Sequence, residues 1–178
     1  MFDTDTFIAR CIDANRDSQP RLAIKELLAE AVAEPSSVAA ALPPDRSGIF
    51  PLHRTADLTI LHVVWAPHMH FVPHEHRMWA AIGMYTGGED NFFYRRASDT
   101  LTESGGKELR PRDVVLLGDD TIHAVTNPTA EFAGAIHIYG GDLFGATRSE
   151  WRGDPYREQP YDVEDALRYF DEFNINPN

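Results

Sequence analysis

Near residue 45 the sequence changes its hydrophobic period, and this change limits the possible folds more than any other feature. Upstream, apolar residues recur at helical spacing. Phe7, Ile8, Cys11 and Ile12 form one stripe behind a cap at Thr4 or Asp5, and Leu22, Ile24, Leu27, Leu28, Ala31 and Val32 form a second behind Pro20. From about Ile49 onward the periodicity gives way to short β-rich runs: Leu58–Trp65, Met78–Tyr85, Asn91–Arg95, Val114–Leu117, His123–Thr126 and Phe132–Tyr139. Gly, Pro, Asn and Asp separate them, a punctuation that favours an all-β sandwich or barrel over alternating βαβ units. Val163 to Phe173 then returns to helical spacing, with Ala166, Leu167, Phe170 and Phe173 as the stripe to be buried. With 178 residues, one domain over 1–178 is expected: helices within 1–43, a β-barrel over 49–145 and a closing helix over 160–174.

Charge and composition narrow the class of protein. A formal net charge of -12 opposes binding to nucleic acid, whose phosphates would be repelled, and no basic run offsets it. Cys11 is the single cysteine, so no intramolecular disulfide forms and a reducing compartment is the simpler assumption. The opening Met-Phe-Asp-Thr-Asp has no basic segment followed by an apolar stretch, and no run of apolar residues reaches membrane-spanning length. A cytoplasmic protein without a membrane partner is therefore expected.

The chemistry concentrates in Pro73-His74-Glu75-His76 and in a further histidine, His123, at the start of a later strand. In an extended chain, residues two apart point to the same face, so the imidazoles of His74 and His76 converge while Glu75 faces away. With His123 they read as a three-histidine metal site, a ligand type suited to iron, zinc, copper or nickel. His68 and His70 share the same spacing just upstream; the Pro73 break and the apolar strand after His76 favour the later pair. Asn127-Pro128 reads as a turn, and His53 and His62 as structural residues.

These motifs resemble the cupins, and within them the thiol dioxygenases typified by cysteine dioxygenase and 3-mercaptopropionate dioxygenase. The likeness runs from about Leu52 to Phe144. Cupins usually follow the His-x-His pair with a glutamate four or five residues on, and those positions here are Ala80 and Ala81. Thiol dioxygenases likewise lack that carboxylate and bind iron through three neutral histidines. The stretch from Pro73 through Trp79 and Gly83 to Glu89 is similar to the bacterial mercaptopropionate-type enzymes. The family's Ser-x-His-x-Tyr is matched by Ala135-Ile-His137-Ile-Tyr139, in which the serine is replaced. The second motif departs as well, with Arg112, Gly118 and Asp120 where cupins commonly show Gly, Pro and Gly. Ala81 also stands where animal cysteine dioxygenases carry the cysteine of a cross-link to tyrosine, so no such cross-link forms.

The resemblance implies a cupin double-stranded β-helix, a jelly-roll barrel with flanking N-terminal and C-terminal helices. It implies Fe(II) held by His74, His76 and His123, and oxidation of a small carboxylate-bearing thiol by O2 to a sulfinic acid. Tyr139 and His137 take the catalytic positions, Arg54 matches the substrate-carboxylate arginine, and Trp79 either walls the pocket or fills the core.

Charge supports the same direction independently. Three neutral imidazoles leave a divalent cation its full charge, which favours an anionic chelating substrate such as a thiolate. A β-diketone-like chelator cleaved at a carbon-carbon bond satisfies the same requirement, as does a non-catalytic cupin binding a small ligand, or a zinc or nickel isomerase. His137 and Tyr139 alternate with Ile136 and Ile138, so one pair faces the interior, and periodicity leaves open which. The particular thiol and the oligomeric state are left open too.

Overall fold

The computed structural model describes residues 1–175. Three helices come first: α1 (Thr4–Ala14), α2 (Pro20–Val32) and α3 (Pro35–Ala41). Asp3 caps α1, its carboxylate accepting from the Thr6 amide at 2.8 Å, one residue earlier than the expected cap. Pro20 opens α2 as expected, and Pro35 opens α3, a short helix that the apolar periodicity does not single out. No helix among the described residues is long and apolar enough to cross a membrane.

Eleven strands follow: β1 (Gly48–Arg54), β2 (Thr59–Trp65), β3 (His70–Glu75), β4 (Ala80–Thr86), β5 (Glu89–Ala97), β6 (Thr100–Leu109), β7 (Val114–Leu117), β8 (Ile122–Thr126), β9 (Ala133–Tyr139), β10 (Ser149–Arg152) and β11 (Arg157–Pro160). Helix α4 (Val163–Ile175) ends the described chain. The strands form two antiparallel sheets, ordered β1-β2-β9-β4-β7 and β11-β10-β3-β8-β5-β6. The fold is the expected double-stranded β-helix with flanking helices, built as two facing sheets that do not close on each other.

The first sheet is buried on both faces, which is why β2, β4 and β9 read as near-continuous apolar runs. Its outer face packs Ile60, Ala81, Ile136 and Ile138 against Ile24, Leu28 and Val32 of α2. These helix residues stand one turn apart and are fully buried, each contributing about 1.5–3 kcal/mol. Gly83 allows the approach, since a Cβ there would fall 2.6 Å from Cγ of Leu28. The inner face meets the second sheet around Leu61, Ala80, Ile82 and Ala135, and Ala166 and Phe170 of α4 join that core. The inner faces and α4 thus enclose the space in which the histidines stand.

Candidate metal centre

His74 on β3 pairs directly with His123 on β8, and cross-strand partners share a face, so both rings enter the space between the sheets. His76 lies just past the end of β3 and closes the cluster. Its Nε2 is 3.3 Å from Nε2 of His74 and 3.3 Å from Nε2 of His123. All three rings are buried, with ligand atoms within 4.8 Å of one another.

Three imidazoles so arranged do not satisfy one another. His74 Nδ1–H donates to the Val72 carbonyl at 3.0 Å, and His123 Nδ1–H donates to Asn91 Oδ1 at 2.6 Å. Both Nε2 atoms are therefore bare acceptors. One proton on His76 Nε2 serves only one of them, and His76 Nδ1 has no hydrogen-bond partner among the described residues. A central cation satisfies every lone pair at once. Imidazole–zinc bonds of about 2.0–2.1 Å place neighbouring nitrogens about 3.0 Å apart at right angles and about 3.4 Å apart in a tetrahedron. The observed 3.3 Å spacings fall within that range, so the cluster fits a first-row metal ion. Imidazole donors alone do not select which one.

Burial also supplies the ligating protonation state. It drives His74 and His76 well below the ordinary imidazole range, reinforced by the neighbouring His123, and pulls His123 down to about 4 against the opposing charge of Glu89. All three are neutral near pH 7. Among the described residues, no carboxylate joins the metal-ligating group. Ala80 and Ala81 occupy the positions where cupins usually place one, and Glu75 turns away to Arg96 and Arg77, at 3.3 and 3.7 Å.

The cluster opens into a cavity of about 50 Å³, with largely apolar walls, that His137 and Tyr139 also line. This settles the alternation on β9: the polar pair faces inward, and Ile136 and Ile138 face the helices. His137 Nδ1 lies 3.0 Å from the Tyr139 hydroxyl, and the Tyr139 ring stands 5.0 Å from that of His76. Burial raises the Tyr139 pKa above that of an ordinary phenol, so it remains protonated. Ala135 offers His137 no hydroxyl, and the second ring nitrogen meets the buried carboxylate of Glu89 at 3.1 Å.

Two expected site residues lie elsewhere. Arg54 stands at the outer end of β1 with its side chain 49% exposed, and its fork is taken by Asp142 through contacts of 2.7 and 2.9 Å. Its carboxylate partner belongs to its own chain, and it does not line the cavity. Trp79 precedes β4 and packs into the outer layer, so close to Gly140 that a Cβ there would fall 2.0 Å from the indole nitrogen. It fills the core and forms no wall of the cavity. His68 and His70 are exposed, and His70 meets Thr126 Oγ1 at 3.0 Å. Asn127 is a buried turn organiser, its amide donating to the carbonyls of Ala66 and Glu131 at 2.9 and 2.8 Å.

One cavity residue escaped the sequence reading. Arg148, between β9 and β10, is 8% exposed and lines the cavity. Its guanidinium carbon sits 3.4 Å from the centre of the Tyr161 ring, and Nη1 donates to the Glu75 carbonyl at 3.3 Å. Its Nε has no partner among the described residues. A buried guanidinium with a spare donor beside three neutral ligands has the charge and the free N–H to take up an anion.

Neither a protein-family model nor a curated protein sequence matches the chain. Solved structures do resemble it. A protein from Bacillus halodurans aligns with TM-score 0.52 and 13% identity over 58% of this chain and 77% of its own. A cupin superfamily protein from Desulfitobacterium hafniense gives 0.47 and 17% over 58% and 87%. A conserved protein with a double-stranded β-helix domain from Klebsiella pneumoniae gives 0.47 and 13% over 61% and 82%. At such identities the likeness is one of fold. Two facing antiparallel sheets and flanking helices give the chain the cupin-type double-stranded β-helix fold, with a three-histidine cluster between its sheets.

Proposed function

We propose that the protein is an Fe(II)-dependent thiol dioxygenase that converts a small carboxylate-bearing thiol, R–SH, with O2 into the sulfinic acid R–SO2H. The observation that carries this reading is the pairing, in one cavity, of three neutral histidine donors with the buried, incompletely paired guanidinium of Arg148. Such a cavity calls for an occupant with an anionic metal-binding end and a second anionic end. Mercapto-acids of the cysteine and 3-mercaptopropionate type have both.

Iron would be held by Nε2 of His74, His76 and His123, and when bound it supplies the activation of dioxygen and a position for the thiolate sulfur. The chain provides placement. Arg148 receives the carboxylate through Nε, its plane fixed by stacking on Tyr161. Tyr139, kept protonated by burial, directs its proton to His137 and its oxygen lone pairs to the S–H of the entering thiol. The apolar lining, including Leu61, Val125, Leu143 and Phe170, excludes bulk water from the reacting groups.

The test is anaerobic loading with Fe(II), then oxygen consumption with a panel of mercapto-acids and one β-diketone, with products scored by mass spectrometry. Oxygen uptake matched by sulfinate supports the reading and ranks the thiols. Uptake with the diketone alone moves the protein to carbon-carbon cleavage, and no uptake with iron fully bound makes it a ligand-binding cupin.

A further inference from the structure

Glu89, the first residue of β5, is fully buried yet belongs neither to the ligand group nor to the cavity wall. Its Oε1 accepts from Asn91 Nδ2 at 3.0 Å, and its Oε2 accepts from Trp65 Nε1 at 2.8 Å and from His137 Nε2 at 3.1 Å. A carboxylate only accepts, so each neighbour must present a proton to it. Asn91 must turn its NH2 toward Glu89, which turns its oxygen toward His123 Nδ1, 2.6 Å away. His123 therefore carries its proton on Nδ1 and keeps Nε2 bare. On the other branch, His137 must present Nε2–H to Glu89, which leaves its Nδ1 to accept from the Tyr139 hydroxyl.

We propose that Glu89 is the positioning residue of this site: one buried carboxylate sets the ligating tautomer of His123 through Asn91 and the direction of the Tyr139 hydroxyl through His137. Glu89 thereby does for His137 what the family's serine does elsewhere, and adds a link to the metal side. Burial alone would raise the carboxyl of Glu89, but its interactions with His137, Asn91 and Trp65 outweigh it and hold the group below its usual range. The role deepens the function proposed above and rests on it only for the presence of a metal.

The test reads ring tautomers directly, by two-bond ¹H–¹⁵N correlation spectra of the histidine-labelled, metal-free protein. The wild type should show His123 protonated at Nδ1 and His137 protonated at Nε2. His123 protonated at Nε2, or His137 protonated at Nδ1 with or without Nε2, would overturn the assignment without any variant. Glu89→Gln supplies the second arm, because its amide NH2 must face either Asn91 or His137 and so reverse one branch. One of the two rings should change tautomer, and zinc affinity, measured by competition with a chromophoric chelator, should fall roughly 10- to 100-fold where the His123 branch reverses. A folded Glu89→Gln protein with both tautomers unchanged removes the proposal. A protein inert toward thiols that still shows these tautomers keeps the role of Glu89 and loses only the thiol reading.

Discussion

His74 and His123 stand opposite each other across the β3–β8 ladder, their rings 4.5 Å apart, so the backbone register itself brings together two of the three nitrogens of the metal centre. His76 supplies the third from the turn beyond β3, at 3.3 Å from each. Replacing His76 by Ala should abolish iron retention and turnover together, since two neutral donors remain and no carboxylate among the described residues joins them. Metal content after desalting, compared with wild type, checks this. Stoichiometric iron in the variant would mean that the ligands are misassigned.

Arg148 and Arg54 make opposite predictions. Arg148→Met removes a buried charged donor from the cavity, a loss of about 1.5–3 kcal/mol, or roughly 10- to 150-fold in KM for a mercapto-acid. A thiol lacking the carboxylate should be nearly indifferent to the change. Arg54→Ala breaks only a half-exposed, solvent-screened pair with Asp142 and should leave KM within about twofold. Steady-state kinetics on both variants would exchange these roles if Arg54 rather than Arg148 proved to govern KM.

These contrasts mark what the sequence conveyed and what it withheld. The His-x-His pair was legible because side-chain direction in a strand has a period of two, and His123 because it begins a strand after a turn. The all-β body and the buried stripes of α2 and α4 were legible from periodicity. The edge strand β6 was not, since its Thr-Glu-Ser-Gly-Gly-Lys stretch is exposed and polar and offers no apolar alternation. Arg148 was hidden for a different reason. In Ala-Thr-Arg-Ser-Glu it reads as surface, and only Tyr161, brought back from beyond β11, and the carbonyl of Glu75 make its site interior. Arg54 and Trp79 stood beside the right motifs, but strand ends and turns decided their facing, which local spacing does not encode.

Tyr139→Phe should separate binding from chemistry. The hydroxyl contacts His137 but belongs to no ligand, and the ring, which packs near His76, is retained in phenylalanine. Iron content should match wild type while turnover falls, by roughly 2- to 12-fold if the hydroxyl oxygen accepts one hydrogen bond of about 0.5–1.5 kcal/mol in the transition state. Unchanged turnover would leave Tyr139 as a structural partner of His137 alone.

His62 gives the fold a pH dependence that does not pass through the metal. It is buried on β2 beside Phe50 and Tyr85, and its Nε2–H donates to the Tyr85 hydroxyl at 2.6 Å, which in turn donates to the Leu42 carbonyl at 2.9 Å. Burial pulls its pKa from 6.5 down to about 4, with Asp45 opposing and His137 adding to the shift. The unfolded chain takes up this proton near pH 6.5 and the folded chain only near 4, so between these values the unfolded state binds more protons. The contribution of His62 to stability is therefore complete above about pH 6.5 and is lost as the pH falls to about 4. The ligand histidines shift the same way, so the wild-type decline is shared among several groups. His62→Gln removes one share: the metal-free variant should be less stable than wild type at pH 7.5 but lose melting temperature less steeply toward pH 4. Parallel melting curves across that range would show that His62 is not among the groups responsible.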